Sequence, residues 1–135
     1  MTATENKAIV TAIFNALAQG DSRPYAEAMA DDFTWRPMGH GIWGKAYEGK
    51  DVARTQLFAP LYAQYEGRPV TTPVNIFADG DHVIVEALGR ATMKDGRPYN
   101  NRYCFVMRLR DGKFVEVREY LDTQLAEETL DASVL

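Results

Sequence analysis

Residues 70–122 read VTTPVNIFADGDHVIVEALGRATMKDGRPYNNRYCFVMRLRDGKFVEVREYLD. Three Asp-Gly pairs, Asp79-Gly80, Asp95-Gly96 and Asp111-Gly112, cut this stretch into four runs rich in β-branched and aromatic residues. Asp-Gly adopts the positive φ angles of tight hairpin turns at little steric cost. The spacing therefore predicts strands near 70–78, 82–93, 98–110 and 113–122, joined in series as an antiparallel meander. Strands of about twelve residues exceed the ~5–6 usual in proteins. In a small domain such strands must twist and bend, so helices are expected to fill a concave face.

Upstream the pattern is helical. Thr2 and Glu5 have capping-box spacing, and Ile9, Val10, Ile13, Phe14 and Leu17 form one apolar stripe that ends at Gly20. Asp21 or Ser22 caps a short second helix with Pro24 in its first turn and Ala26, Met29 and Ala30 on its apolar side. Phe33–Met38 reads as a strand, and 39–49, with Gly39, Gly41, Gly44 and Gly49, as an irregular connection. Asp51 can cap a third helix on which Phe58, Leu61, Tyr62 and Tyr65 share a face, with Pro60 expected to kink it. Helices first and strands later is an α+β order.

The totals bound the function. The 135 residues make one domain, 1–135, able to bury roughly two-thirds of its unfolded surface. With 46% apolar and 25% charged residues, the composition is that of a soluble globular protein. No apolar run approaches the ~20 residues of a membrane span, and no signal peptide is visible. A net charge of −4 without a Lys/Arg cluster makes nucleic acid a poor partner. The single cysteine, Cys104, forbids an internal disulfide and fits a reducing cytoplasm. Two separated histidines without ligand-spaced partners give no metal site, and no phosphate loop, nucleophile elbow or dinucleotide fingerprint is present.

Strand alternation then marks polar groups on faces that should be buried. On the last strand Val115, Val117, Glu119 and Leu121 share one side, interrupted only by Glu119. On the preceding strand Tyr99, Asn101, Tyr103, Phe105, Met107 and Leu109 share one side, interrupted by Asn101. A carboxylate on a packed apolar face is costly unless paired or hydrated. Desolvation lifts its pKa towards ~6–7, which suits a general base near neutral pH. Tyr103 and Asn101 could donate hydrogen bonds to a developing oxyanion. Trp35 could wall a pocket and donate one hydrogen bond, and His40, in the glycine-rich connection, could act as acid, base or donor. On the strand near 82–93, pattern alone buries Val83, Val85, Ala87, Ala91 and Met93 and leaves Glu86 and Arg90 outside, unless a bulge reverses the faces.

These segments together resemble the SnoaL-like and ketosteroid-isomerase-like branch of the nuclear-transport-factor-2-like superfamily. The residues that carry the likeness are Asp31-Asp32-Phe33-Thr34-Trp35, Tyr47-Glu48-Gly49-Lys50, Gly96–Tyr103, Asp111-Gly112-Lys113 and Arg118–Thr123. The resemblance implies a cone: a strongly curved antiparallel sheet around three N-terminal helices, with an open apolar cavity. It also implies a homodimer packed through the outer sheet face, where Cys104, Val106, Phe114 and Tyr120 lie opposite Glu119. The superfamily includes ketosteroid isomerases, polyketide cyclases, dehydratases, limonene-epoxide hydrolase and non-catalytic binding proteins. The hydrolase's Asp-Arg-Asp triad would fall at Leu88, Glu86 and Glu119, of which only the last keeps an acid, so that chemistry is not expected. The same comparison puts Trp35 in place of a pocket tyrosine and turns Glu86 and Arg90 into the cavity.

The expected function is binding of a small apolar molecule, with general acid–base chemistry on a carbonyl compound by Glu119, Tyr103 and Asn101. Isomerisation, cyclisation and dehydration all fit, and none needs a cofactor. Trp35, His40, Glu86, Arg90, Tyr99, Val117 and Leu121 complete the expected pocket. A binding protein without catalysis, or a dimeric interaction module, is the alternative.

Overall fold

Helix α1 (Ala3–Leu17) opens with the capping box its sequence predicts. In the computed structural model, which describes residues 1–135, the Thr2 hydroxyl accepts from the Glu5 N–H at 3.1 Å and the Glu5 carboxylate from the Thr2 N–H at 3.2 Å. Val10, Ile13 and Phe14 are the stripe it buries. Helix α2 (Arg23–Glu27) has Pro24 in its first turn and buries Tyr25. Strand β1 (Met29–Pro37) starts at Met29 rather than Phe33, because Met29 already pairs with Phe114 across the sheet. Met29 and Ala30 therefore bury as strand residues, not on a helix.

The 39–49 connection holds a 3₁₀ turn, Gly41–Gly44, that buries Trp43, and a two-residue strand β2 (Tyr47–Glu48) antiparallel to β1. The third helical stretch runs without a break through α3 (Lys50–Ala53), a π-helical segment Arg54–Phe58 and α4 (Ala59–Tyr62). Pro60 has no N–H to offer a carbonyl one turn back, and its ring crowds that turn. The wider π turn just before it absorbs the conflict without ending the helix.

Strands β3 (Tyr65–Asp79), β4 (His82–Met93), β5 (Arg102–Arg110) and β6 (Lys113–Leu121) follow as the expected meander. The sheet order is β2-β1-β6-β5-β4-β3, antiparallel except that β1 joins β6 in parallel. Tyr65 opens β3 instead of closing the helix, and the ladder shifts register between Glu66 and Val70, where Gly67 takes φ +74°. At the last hairpin both Asp111 (φ 52°) and Gly112 (φ 78°) are left-handed, as a type I′ turn requires. A register shift between Arg108 and Leu109 follows it and buries Phe114 and Val115 in succession. Phe114 thus belongs to the core, not to the outer face that strict alternation assigns it. A further helix α5 (Thr123–Thr129) is capped by Asp122, whose carboxylate accepts from the Leu125 N–H at 3.1 Å. No helix is long and apolar enough to cross a membrane.

The inner sheet face packs Val83, Val85, Ala87, Phe105, Met107 and Val117 with α1 and α2 in one core. At its edge lies Gly89, where a Cβ would stand 2.6 Å from Cε2 of Tyr103. Only glycine lets the Tyr103 ring rest on the β4 backbone. Gly89→Ala is expected to destabilise the protein by about 1–3 kcal/mol and to move the Tyr103 ring. Urea unfolding checks the first effect and the Tyr103 ring resonances the second. Unchanged stability and shifts would contradict this packing.

Candidate functional site

Between the inner sheet face and the helices is a cavity of about 350 Å³, within the range of small-molecule sites. Phe14, Tyr25, Trp35, Phe58, Tyr65 and Phe105 are among the rings that wall it. Trp35 is buried and edge-on to Phe58, with ring centres 5.0 Å apart. The C-terminal residues close one end through Leu130 and Leu135. They are tied down by reciprocal bonds between the Gln64 side chain and the Asp131 backbone (2.8 and 3.1 Å), and by the Trp43 indole N–H donating to Glu127 at 2.7 Å.

Glu119 is the one carboxylate in this lining. Its position on β6, opposite Phe105 of β5 and Pro37 of β1, fixes its direction into the cavity. The Glu119 carbonyl holds the chain there by accepting from the Met38 N–H at 2.8 Å. No hydrogen bond or ion pair reaches its carboxylate. The side chain keeps some surface towards the cavity but is surrounded by protein, and burial alone pushes its pKa from 4.5 up to about 8. Five tyrosines, Tyr25, Tyr62, Tyr65, Tyr99 and Tyr103, have pKa values raised chiefly by burial and further by the charge of Glu119. Tyr99 rises to about 12, held back by hydrogen bonding from Asn101. At neutral pH the site is therefore one mostly protonated carboxyl among neutral phenols.

The structure brings Glu119, Tyr99, Tyr103, Trp35 and Leu121 around one cavity. It separates the other expected residues from it. Val117 shares their face but is closed over by the core, with no exposed surface. Asn101 is buried and fully engaged. Its Nδ2 donates to the Tyr99 hydroxyl (2.9 Å) and the Asp122 carbonyl (3.0 Å), and its Oδ1 accepts from the N–H groups of Arg102 (2.7 Å) and Asp122 (3.1 Å). Asn101 is thus a bracket that positions Tyr99 and the end of β6, not an oxyanion donor. His40 is exposed at the start of the 3₁₀ turn, because the glycine-rich connection carries it outside the sheet. Glu86 and Arg90 are exposed on the outer face. No bulge interrupts β4 between Val83 and Ala87 in its pairing with β5, so the bare alternation holds and the family-based inward turn does not. Glu86 instead accepts from the Asn75 amide at 3.0 Å.

Tyr25, Tyr65, Phe58 and Lys50 also border the cavity, and strand alternation could not find them because helices or a strand start carry them. The Tyr25 hydroxyl is buried without a hydrogen-bond partner. Tyr25 and Ala26 of α2 border the cavity together with Met29 at the start of β1.

The SnoaL-like domain family matches residues 10–117, and the chain belongs to it. No protein of curated function matches it. Its fold is the NTF2-like one. An NTF2-like protein of Burkholderia thailandensis E264 is similar over 95% of this chain and 96% of its own, with 22% identity and a TM-score of 0.76. A SnoaL-like polyketide cyclase candidate of Jannaschia sp. CCS1 is similar over 96% and 93%, with 20% identity and a TM-score of 0.77. An LEH-like epoxide hydrolase of M. tuberculosis is similar over 93% and 89%, with 23% identity and a TM-score of 0.72. At these identities the likeness is one of fold.

Asn101→Ala is expected to cost about 2–4 kcal/mol, since it strands two backbone N–H groups and the Asp122 carbonyl. Chemical denaturation measures this, and a loss below the usual surface range would contradict the bracket. The Glu119 carboxyl gives a second expectation. Its folded pKa lies above its unfolded one, so the folded state loses stability as pH rises from about 4.5 to about 8 and levels off above that. Glu119→Gln removes this loss. The variant should match wild type near the lower pH and gain on the order of a few kcal/mol at the upper one. Thermal melts across that range would contradict it if the two proteins kept a constant gap.

Proposed function

We propose that this protein is an acid–base enzyme acting on a small, largely apolar carbonyl compound, of the isomerase, cyclase or dehydratase kind. The observation that carries the reading is the lone, unpaired Glu119 carboxyl in an aromatic cavity. In its ionised form Glu119 takes a proton from the carbon next to the carbonyl. The C–H electron pair becomes the enolate C=C bond, and negative charge collects on oxygen. Tyr99 and Tyr103 are the donors for that oxygen, and their raised pKa values keep them protonated throughout the working range. Glu119 then returns the proton at another carbon, or the enolate attacks an acceptor. With the pKa near 8, the rate should climb with pH and flatten above that value. The polyketide cyclase candidate among the structural neighbours agrees with this class of chemistry. Epoxide hydrolysis by an Asp-Arg-Asp triad does not, because the inward positions of β4 are the apolar Val83, Val85 and Ala87 and Glu119 is the one acidic side chain in the cavity.

The full engagement of Asn101 favours a second reading, a ligand carrier with the same cavity, since it leaves one donor fewer for an oxyanion. A second copy of the chain on the outer sheet face is proposed as partner. Phe77, Leu88 and Tyr120 are 53%, 48% and 44% exposed there.

Hydrogen–deuterium exchange at the α-carbon of 2-methylcyclohexanone in D₂O, followed by NMR, distinguishes the readings. Wild type should accelerate exchange over buffer, and Glu119→Gln should lose at least about 100-fold of that acceleration. Equal exchange by both proteins would exclude Glu119 as the base, and binding without any exchange would favour the carrier.

A further inference from the structure

Lys50 and Arg54 are the two cations in a lining otherwise built of rings, aliphatic groups, the Ser22 and Thr71 hydroxyls and Glu119. They are four residues apart, so they share one side of the helical stretch that begins at Lys50. Arg54 keeps 66% of its side chain in solvent and Lys50 is half-buried, and both border the cavity, which puts them at its mouth. Arg54 pairs with Asp51 at 3.2 Å, an aspartate whose side chain is 89% exposed, while the Lys50 ammonium makes no ion pair or hydrogen bond.

This arrangement works against the helix. Cations at a helix start oppose the macrodipole, and like charges at i and i+4 repel. Arg54 has only a solvent-exposed aspartate as partner and Lys50 has none, so the opening suits an anionic group of a ligand. We propose that the ligand is a carboxylic acid whose apolar body fills the aromatic interior and whose carboxylate seats against Lys50 and Arg54 at the mouth. The cost of taking an ionised carboxylate out of water into the ring-lined interior keeps the acid group outward, with the apolar body inside beside Glu119. A carbonyl carried elsewhere on the same molecule then lies towards Glu119. The proposal rests on the cavity being a ligand site but not on turnover.

Calorimetry with octanoate and 1-octanol near neutral pH tests it. The two probes share a chain and differ in charge. Wild type should bind octanoate at least about 3-fold more tightly, and Lys50→Gln should remove about 3- to 10-fold of octanoate affinity while changing octanol less than about 2-fold. High salt should weaken octanoate alone. A thermal melt confirms that Lys50→Gln is folded, and Arg54→Gln provides a second variant with the same expected direction. If octanoate binds no better than octanol, or Lys50→Gln weakens both alike, the carboxylate site is wrong even though the cavity stands. If neither probe binds wild type, the ligand cavity itself is overturned, whatever Glu119→Gln does to exchange.

Discussion

A carboxyl group without a partner inside an aromatic cavity is the constraint around which the rest of this structure is arranged. Moving an ionised carboxylate from water into such surroundings costs several kcal/mol unless something pairs with it. Nothing here does, so Glu119 keeps its proton well into the neutral range. The core could have filled that position with an aliphatic side chain at no such cost. Retaining an acid there leaves the protein less stable at high pH than it could be, which is the kind of local conflict expected at a functional site.

Several distant features make the position tenable. The parallel pairing of β1 with β6 sets Pro37 beside Glu119 and Trp35 beside Val117. Gly89 on β4 leaves room for the Tyr103 ring, which stacks on Phe105 two residues along its own strand with centres 5.2 Å apart. Asn101 replaces missing ladder bonds at the end of β6 and anchors the Tyr99 hydroxyl. The π-helical turn ahead of Pro60 keeps one continuous helical wall over the cavity, carrying Leu57 and Phe58 inward and Lys50 to its mouth.

Much of this was legible in the residues. Asp-Gly spacing gave the meander because turn chemistry is local, and period-two alternation found Glu119 and Tyr103 because β5 and β6 keep their faces over those residues. Tyr99, in contrast, precedes β5, which begins at Arg102, and reaches the cavity from the connection. What failed had physical reasons too. Phe114 changed sides because a register shift follows the hairpin, and such shifts leave no mark in composition. Asn101 read as a free donor because a buried amide's partners, here the backbone of Asp122 and Arg102, are set by tertiary contact. Glu86 and Arg90 were turned inward only by family likeness, which their own alternation contradicted correctly. Tyr25 and Lys50 lie on helices, where a cavity-facing residue and a core residue follow the same 3.6 spacing. The α5 helix went unread although Asp122 is a good N-cap.

The central claim is the protonation state of Glu119, and ¹³C NMR titration of its side-chain carboxyl tests it without any ligand. A chemical-shift midpoint near 8 is the predicted result. A Glu119 midpoint at or below its ordinary 4.5 would mean that the carboxylate is paired or freely hydrated, and would contradict it.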